Sequence, residues 1–434
     1  MSVTNFPYGF IGSLTLKGLP LLQTHPGNIY WVDNGPPTLA TTAPSASGTI
    51  RTTGGSDQNP GTFQRPFATI AQAMSVCSQN NGDIILVKPG HIEICTTAPS
   101  TTGVANMAPV YDPTGTIVVS NGGTAGYNFQ LNKSDVAIIG LGIGNSRPQI
   151  VFSTATTATI NVSGTNISMQ NFLFTGNFAA VASAFTMIDA SIATGIITGN
   201  VLATGAITRV LWPGATLVPT AANGIIPGTV VLNQLTGVTG ALGTYTVSVT
   251  YSVATTSATV IAGPTDFNLE NCEVRDVGTA LNLITLVTTG AGAGGSDGLR
   301  IANTQWNSLA TAASAAGNLI TLGGAVDRLT VTDNRVYATA TSTGALLVVA
   351  GANNVTNATI ARNVGYKPTT AATGLLVTSS STASSGIMYD NYGWSLATSA
   401  GLLVSTGTKL GFANNYATIT GTADKQAIIN PGQA

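Results

Sequence analysis

Through most of its length the chain alternates apolar and polar positions in short runs that recur about every thirty residues. The phrase apolar-x-apolar-x-turn residue is written as Val136-x-Ile138-x-Gly140, Ile167-x-Met169-x-Asn171, Phe267-x-Leu269-x-Asn271 and Leu299-x-Ile301-x-Asn303. It continues as Leu329-x-Val331-x-Asp333, Ala358-x-Ile360-x-Arg362, Ile387-x-Tyr389-x-Asn391 and Leu410-x-Phe412-x-Asn414. Successive last positions are 31, 100, 32, 30, 29, 29 and 23 residues apart. Period-2 alternation bounded by Gly, Asn, Ser and Thr predicts short strands with one buried face. A second series of apolar runs, beginning at Leu283, Leu319, Leu346, Leu375 and Leu402, keeps the same time. Each period therefore holds two or three strands.

A repeat of this length cannot bury its own apolar face and must stack on its neighbours. The pattern predicts an all-β fold, a right-handed parallel β-helix. Met169, Leu269, Ile301, Val331, Ile360, Tyr389 and Phe412 would form one inward column. The turn residues would form a corner ladder of Asn171, Asn271, Asn303, Asp333, Asn391 and Asn414, because Asn and Asp tolerate the left-handed backbone of a sharp corner. The gap of 100 leaves an excess of roughly two periods, placed at 190–262, where Gly-rich turns separate alternating runs; this predicts an inserted small β domain. Upstream, RPFATIAQAMSVC (65–77) puts Phe67, Ile70, Ala71, Met74 and Cys77 on one helical face, a helix suited to capping the open end of the stack. The expected organisation is an extended N-terminal arm at 1–64, the capping helix and first coils at 65–189, the insertion at 190–262 and the remaining coils at 263–434.

Composition narrows the function. Of 434 residues, 15 are Lys or Arg and 16 are Asp or Glu, scattered along the chain. No basic footprint for nucleic acid exists, and none for an anionic membrane. Mean hydropathy is +0.31, yet polar residues interrupt every apolar run before the length of a spanning helix. The opening MSVTNFPYGF lacks the basic and apolar regions of a secretory signal. Three cysteines without pattern predict buried thiols rather than a disulfide framework. A surface this poor in charge predicts burial against partner subunits, and flat neutral walls predict a homotrimer.

Candidate chemistry is sparse, and no cofactor is implied. β-Helices that cleave glycans need paired carboxylates about 5–10 Å apart. Asp297 over Asp327, one period apart, is the acidic pair at coil spacing; a strand-start turn stack explains it at least as well. Glu270, Glu273 and Asp276 read as a solvated rim or a subunit contact. His25 and His91 have no spaced acid or nucleophile, and GAGAGG (290–295) precedes a strand, so it is a turn and not a phosphate loop. No metal-ligand spacing is present. Aromatic residues, 6% of the chain, show little clustering along the sequence.

The stretch GGSDQNPGTFQRPFATIAQAM…NGDIILVKPG resembles the entrance of pectate-lyase-like β-helices. More narrowly, TNFPYGF and NIYWVDN resemble virion-associated β-helix proteins of tailed bacteriophages, the head-fibre, decoration and spike proteins. GATLVPTAANGIIPGTVVLNQLTGVTGALGTYTVS resembles a small β module of phage structural proteins. The resemblance covers the first 95 residues or so and the insertion; the extra loop at 36–53 departs from it. It implies a non-catalytic protein made in the host cytoplasm and placed on the capsid surface of the virion, with itself and the major capsid protein or another virion protein as partners. The alternative it implies is a tailspike that binds or cleaves a host surface glycan. Phe6, Pro7, Tyr8, Tyr30 and Trp31 are then the candidates for capsid attachment.

Overall fold

A computed structural model of the chain describes residues 15–16, 19–20, 27–33, 55–78, 80–95, 110–111, 117–118, 130–152, 159–176, 183–187, 190–208, 211, 215–218, 223–226, 228–237, 242–255, 258–276, 285–288, 296–307, 319–337, 348–351, 354–367, 377–379, 384–395, 403–405, 409–419 and 425–426. Short strands pair in parallel across three long sheets, so that the chain passes from wall one to wall two to wall three and returns one strand further along. This is an all-β fold of the parallel β-helix type.

Wall one runs through ten strands, from Ile29–Val32 and Asp83–Val87 through Ile167–Gln170, Phe267–Glu270, Arg300–Ala302, Thr330–Thr332 and Ala358–Ala361 to Ser385–Tyr389 and Lys409–Ala413. Wall two follows each corner, with Gln305–Asn307, Arg335–Tyr337, Val364–Lys367, Tyr392–Ser395 and Tyr416–Ile419 as its later strands. Wall three has eight strands, from Gln130–Leu131 to Leu403–Ser405. The last parallel strand of wall two is met by Lys425–Gln426 running antiparallel, with Tyr416 opposite Gln426.

In-register stacking is what builds the core. Met169 faces Leu269, Leu269 faces Ile301, and Val331 and Ile360 continue the column, each essentially without solvent exposure. Coil spacing of about 4.8 Å brings such side chains into contact along the axis. The next member is Met388, paired with Ile360 and buried; it is not Tyr389, which pairs with Ala361. The assignment of Tyr389 to the inward column is corrected by one residue. Ile387, Met388 and Tyr389 are all apolar, so alternation alone does not fix which of them faces inward, and a slip of one reverses every face.

The helix spans Ile70–Val76, shorter than the 65–77 expected, with Thr69 as N-cap accepting from the N–H of Gln72 at 3.0 Å. Phe67 pairs with Val32 as an isolated bridge instead of joining the helix. Ile70, Ala73 and Met74 enter the same core as the wall residues. Between the wall-three strand Ser183–Met187 and the wall-one strand Phe267–Glu270 lies a six-stranded antiparallel sheet built on the long strand Ala190–Thr204. Its apolar centre, including Ile192, Leu202, Tyr245 and Val260, is separate from that of the coils.

Candidate functional site

Two turns per coil are made by residues in the left-handed region. At the corner after wall one, φ is positive at Asn171, Asn271, Asn303, Asp333, Arg362, Asp390 and Asn414. The amide of Asn271 donates to the side-chain oxygen of Asn171 at 3.0 Å, and that of Asn303 to Asn271 at 3.1 Å. Arg362 extends the row by gripping both oxygens of Asp333 at 2.7 Å. Asn391 does not belong to this row; Asp390 takes its place, with φ 54°.

Asn391 sits one position further on, in a second ladder inside the core. Asn334, Asn363, Asn391 and Asn415 are buried and stack on successive coils. In each of the first three, the backbone N–H and side-chain amide both donate to the next asparagine's side-chain oxygen, at 2.8–3.1 Å. The second amide hydrogen goes to a backbone carbonyl of the preceding coil, Ile301, Val331 or Ile360. A buried amide is tolerated only when its hydrogen bonds are made, and here they are made coil to coil. The sequence carried a signal for this in the doublets Asp333-Asn334, Arg362-Asn363, Asp390-Asn391 and Asn414-Asn415, one residue for the corner and one for the interior.

The corner before wall one holds Asp297 and Asp327. A carboxylate oxygen of Asp297 accepts the backbone N–H of Asp327 at 2.7 Å. Asp327 in turn accepts from the hydroxyl of Thr356 at 2.6 Å and the amide of Asn357 at 2.7 Å. Burial holds Asp297 above the ordinary carboxylate range, against the pull of the Asp327 N–H. For Asp327 burial acts in the same sense, but the Thr356 and Asn357 hydrogen bonds outweigh it and hold the group below that range. Opposed shifts on neighbouring carboxyls are what an acid/base pair requires. Here the rise at Asp297 comes from burial, and the fall at Asp327 from hydrogen bonds that tie one coil to the next. Beside them, Arg328 pairs with Asp266 at 2.9 Å, both half-exposed.

Several other acidic residues among those described are also engaged. Glu270 receives Arg300 at 3.1 Å, and Glu273 is clasped by Arg275 at 2.7 Å and by Arg147. The side chain of Asp276 lies outside the described residues. His91 is fully buried, 3.1 Å from Glu93, whose carboxylate also accepts the N–H of Ile70 at the helix start. Asp57 accepts the N–H groups of Ala68 and Thr69, both at 3.0 Å. Its carboxyl is pushed up to about 6, first by burial and further by the charge of Glu93, while hydrogen bonds from Thr69 and Ala68 oppose the rise. Among the described residues no cluster of three His, Cys, Asp or Glu could hold a metal ion. No helix among them is long and apolar enough to cross a membrane.

Of the attachment candidates, Phe6, Pro7 and Tyr8 lie outside the described residues, as does His25. Tyr30 and Trp31 fall in the first strand of wall one, paired with Ile85 and Leu86, so they are part of the coil stack and not of an arm. Tyr30 leans on Phe67 at 5.9 Å and on the core; Trp31 meets Phe63 edge-on at 4.8 Å.

Sequence reasoning missed an aromatic wall. On the outer face of wall two, Tyr337, Tyr366 and Trp394 occupy one register column on three successive coils. The rings of Tyr366 and Trp394 stack at 4.3 Å with 5° between planes, and Tyr337 joins at 6.3 Å, tilted by 43°. Two residues before Trp394, Tyr392 pairs with Tyr416 on the last coil, and these are 41% and 50% exposed. The signal is the recurring Asn-x-x-aromatic of Asn334-x-x-Tyr337, Asn363-x-x-Tyr366 and Asn391-x-x-Trp394. Aromatics scattered along the chain are thus gathered by the coil period.

No protein-family model and no curated protein matches the chain. Among solved structures it is similar to a rhamnogalacturonan lyase, at 12% identity and a TM-score of 0.36 over 90% of this chain and 87% of that one. It is also similar to the tailspike gp61 of Pseudomonas phage phi297, at 8% identity and a TM-score of 0.20 over 62% and 66%. A third is the Gp54 tailspike of Acinetobacter baumannii bacteriophage AP22, solved with a capsular saccharide, at 10% identity and a TM-score of 0.15 over 62% and 64%. Likeness at these TM-scores carries no argument about activity; the fold rests on the chain's own strand pairing.

Proposed function

We propose that the chain is a structural protein on the outside of a tailed-bacteriophage virion, a homotrimeric decoration or head-fibre protein without catalytic activity. The observation that carries the reading is the fate of its carboxylates. Asp297 and Asp327 are spent on coil-to-coil hydrogen bonds, and Glu270, Glu273, Asp266 and Asp333 on arginines, in walls otherwise nearly free of charge. Such a body is a rigid scaffold whose neutral sides favour contact with other subunits. In this reading the coils wind right-handed, the helix Ile70–Val76 closes their first end, and the antiparallel sheet at 190–262 is a module carried on the side. The resemblance of the first 95 residues to phage virion β-helices supports the location, with the major capsid protein as partner.

The test is the number of copies per virion, measured by quantitative mass spectrometry against the major capsid protein. Dozens to hundreds of copies are expected for a protein repeated by shell symmetry. About a dozen or fewer, in multiples of three, would replace this reading with the tailspike.

A further inference from the structure

Residues 55–67 run as a strap along the outer edge of wall one, at the first end of the coil stack. The edge strand there is Ile29–Val32, which pairs on its inner side with Asp83–Val87. On its outer side the N–H of Trp31 donates to the Gly61 carbonyl at 2.7 Å. The Phe67 N–H donates to the Trp31 carbonyl, and the Asp33 N–H to the Phe67 carbonyl, both at 2.9 Å. The strap thus occupies backbone groups that an edge strand would otherwise offer to another chain. It does so with little apolar burial: Pro66 and Phe67 are buried, whereas Ser56, Gln58, Pro60, Phe63, Gln64 and Arg65 are exposed. A segment held mainly by polar contacts opens at low free energy.

Buried carboxylates tie the strap to the helix start. Oδ1 of Asp57 accepts the N–H groups of Ala68 and Thr69, both at 3.0 Å, and Oδ2 lies 3.1 Å from the Thr69 hydroxyl. The next N–H, that of Ile70, donates to Glu93 at 3.0 Å, and Glu93 meets His91 at 3.1 Å. Two carboxylates therefore share three consecutive N–H groups, where Thr69, His91 and Glu93 have no solvent exposure.

We propose that uptake of one proton by Asp57 locks this strap over the sheet edge, and that its loss in neutral solution lets the strap open and uncover Ile29–Val32. A proton on Oδ2 can be donated to the Thr69 oxygen and leaves Oδ1 to accept both N–H groups. Protonation thus removes the charge and keeps both backbone bonds. The ionised form sets Asp57 against the like charge of Glu93, away from bulk water. Burial first, and then that charge, push the Asp57 carboxyl up to about 6, while the Thr69 and Ala68 bonds oppose the rise. In the open strap Asp57 returns to water and to its ordinary range. Closure is therefore strongest in acid and weakens as pH rises through the raised value.

The other charged and titratable groups around the strap are engaged elsewhere. Glu93 and His91 come from the start of wall two. Cys95, on the same strand, keeps its proton, its thiol pushed up by burial and then by the Glu93 charge. Lys88 is held by the Phe63 carbonyl at 2.8 Å and by Asp33 at 3.5 Å, and Arg65 by Asn59 at 3.4 Å. The helix Ile70–Val76 carries no charged residue.

Amide hydrogen exchange of the purified full-length chain tests the lock, each rate being divided by the chemical rate of an unprotected amide. The opening constant read at Trp31, Asp33, Phe67, Ala68 and Thr69 should be about tenfold larger at pH ~7.5 than at pH ~5. That is the ratio given by a rise from 3.8 to about 6 on closure. These amides should exchange at least about 100-fold ahead of the ladder amides of Asn334 and Asn363, because the coils stay folded when the strap opens. Asp57→Asn has an amide that can donate to the Thr69 hydroxyl and an oxygen that accepts both N–H groups. It should hold the strap at its acid level at both pH values. At pH ~7.5 its chymotryptic cleavage after the exposed Phe63, followed by mass spectrometry, should be at least about fivefold slower than that of wild type. Strap amides exchanging together with those of Asn334 and Asn363 would overturn the proposal, since the strap would then have no opening of its own. A pH dependence that survives in Asp57→Asn would overturn it by assigning the proton to another group. A wild-type ratio near one would do so without any variant, and decides the matter should Asp57→Asn fail to fold.

Discussion

The side-chain oxygen of Asn391 accepts two hydrogen bonds from Asn363, one from its backbone N–H and one from its amide, both at 2.9 Å. Removing either partner strands groups that have no access to water. Asn363→Ala is expected to cost roughly 3–5 kcal/mol, since it leaves at least two buried donors or acceptors unpaired at about 1–3 kcal/mol each. Urea unfolding monitored by circular dichroism measures this; a loss under about 1 kcal/mol would mean that the ladder contributes little to stability.

The corner row separates backbone strain from hydrogen bonding. Asn271 holds φ at 55° and accepts the amide of Asn303. Asn271→Ala should cost about 1–2 kcal/mol, because alanine keeps the β-carbon that disfavours this region but lacks the short polar side chain by which Asn tolerates it. Asn271→Gly loses the same side-chain bonds but adopts the conformation freely, so it should cost less. Equal losses would show that the conformation is not what the residue supplies.

Asp57 gives the fold an acid limb of unusual sign. Its carboxyl is pushed up to about 6 in the folded chain, above its ordinary value of 3.8. The folded state therefore binds this proton more tightly than the unfolded state does. The penalty for burying the charge is present in full above pH ~6 and is relieved as pH falls from about 6 to 4, a gain of about 1–3 kcal/mol from this group. Asp57→Asn should lack that limb and be the more stable protein at pH 7.5. Melting temperatures of both between pH 4.5 and 7.5 check it, and parallel curves would refute the assignment.

Wild-type protein should release no reducing ends or unsaturated products from host capsular polysaccharide. Asp297→Ala should instead lower stability by about 1–2 kcal/mol through loss of the acceptor for the Asp327 N–H. Cleavage abolished by Asp297→Asn or Asp327→Asn would make these corner carboxylates catalytic.

What the sequence made legible follows from how each feature is encoded. The parallel coil stack was readable because the wall-one strands repeat an apolar pair every thirty residues, and Met169, Leu269, Ile301 and Val331 share one register. The slip at Tyr389 came where three consecutive apolar residues remove the contrast on which alternation depends. Asn391 was misplaced with it, because Asp390 and Asn391 are both turn formers and only the fold separates corner from interior. The aromatic wall was illegible locally, since its members stand 29 and 28 residues apart and become neighbours only when coils stack. The opposed behaviour of Asp297 and Asp327 depends on Thr356 and Asn357 in the following coil, which spacing of acids alone does not reveal.

A stack of parallel coils has an inherent hazard, since its last strand offers the next molecule the same row of backbone groups that each coil offered its successor. Lys425–Gln426 lies back along Tyr416–Ile419 in the opposite direction. Its outer edge has antiparallel spacing, out of step with the slanted bonds a further parallel coil would make. On that wall the stack ends in an antiparallel strand rather than an open parallel edge, which disfavours end-to-end joining of copies into fibres.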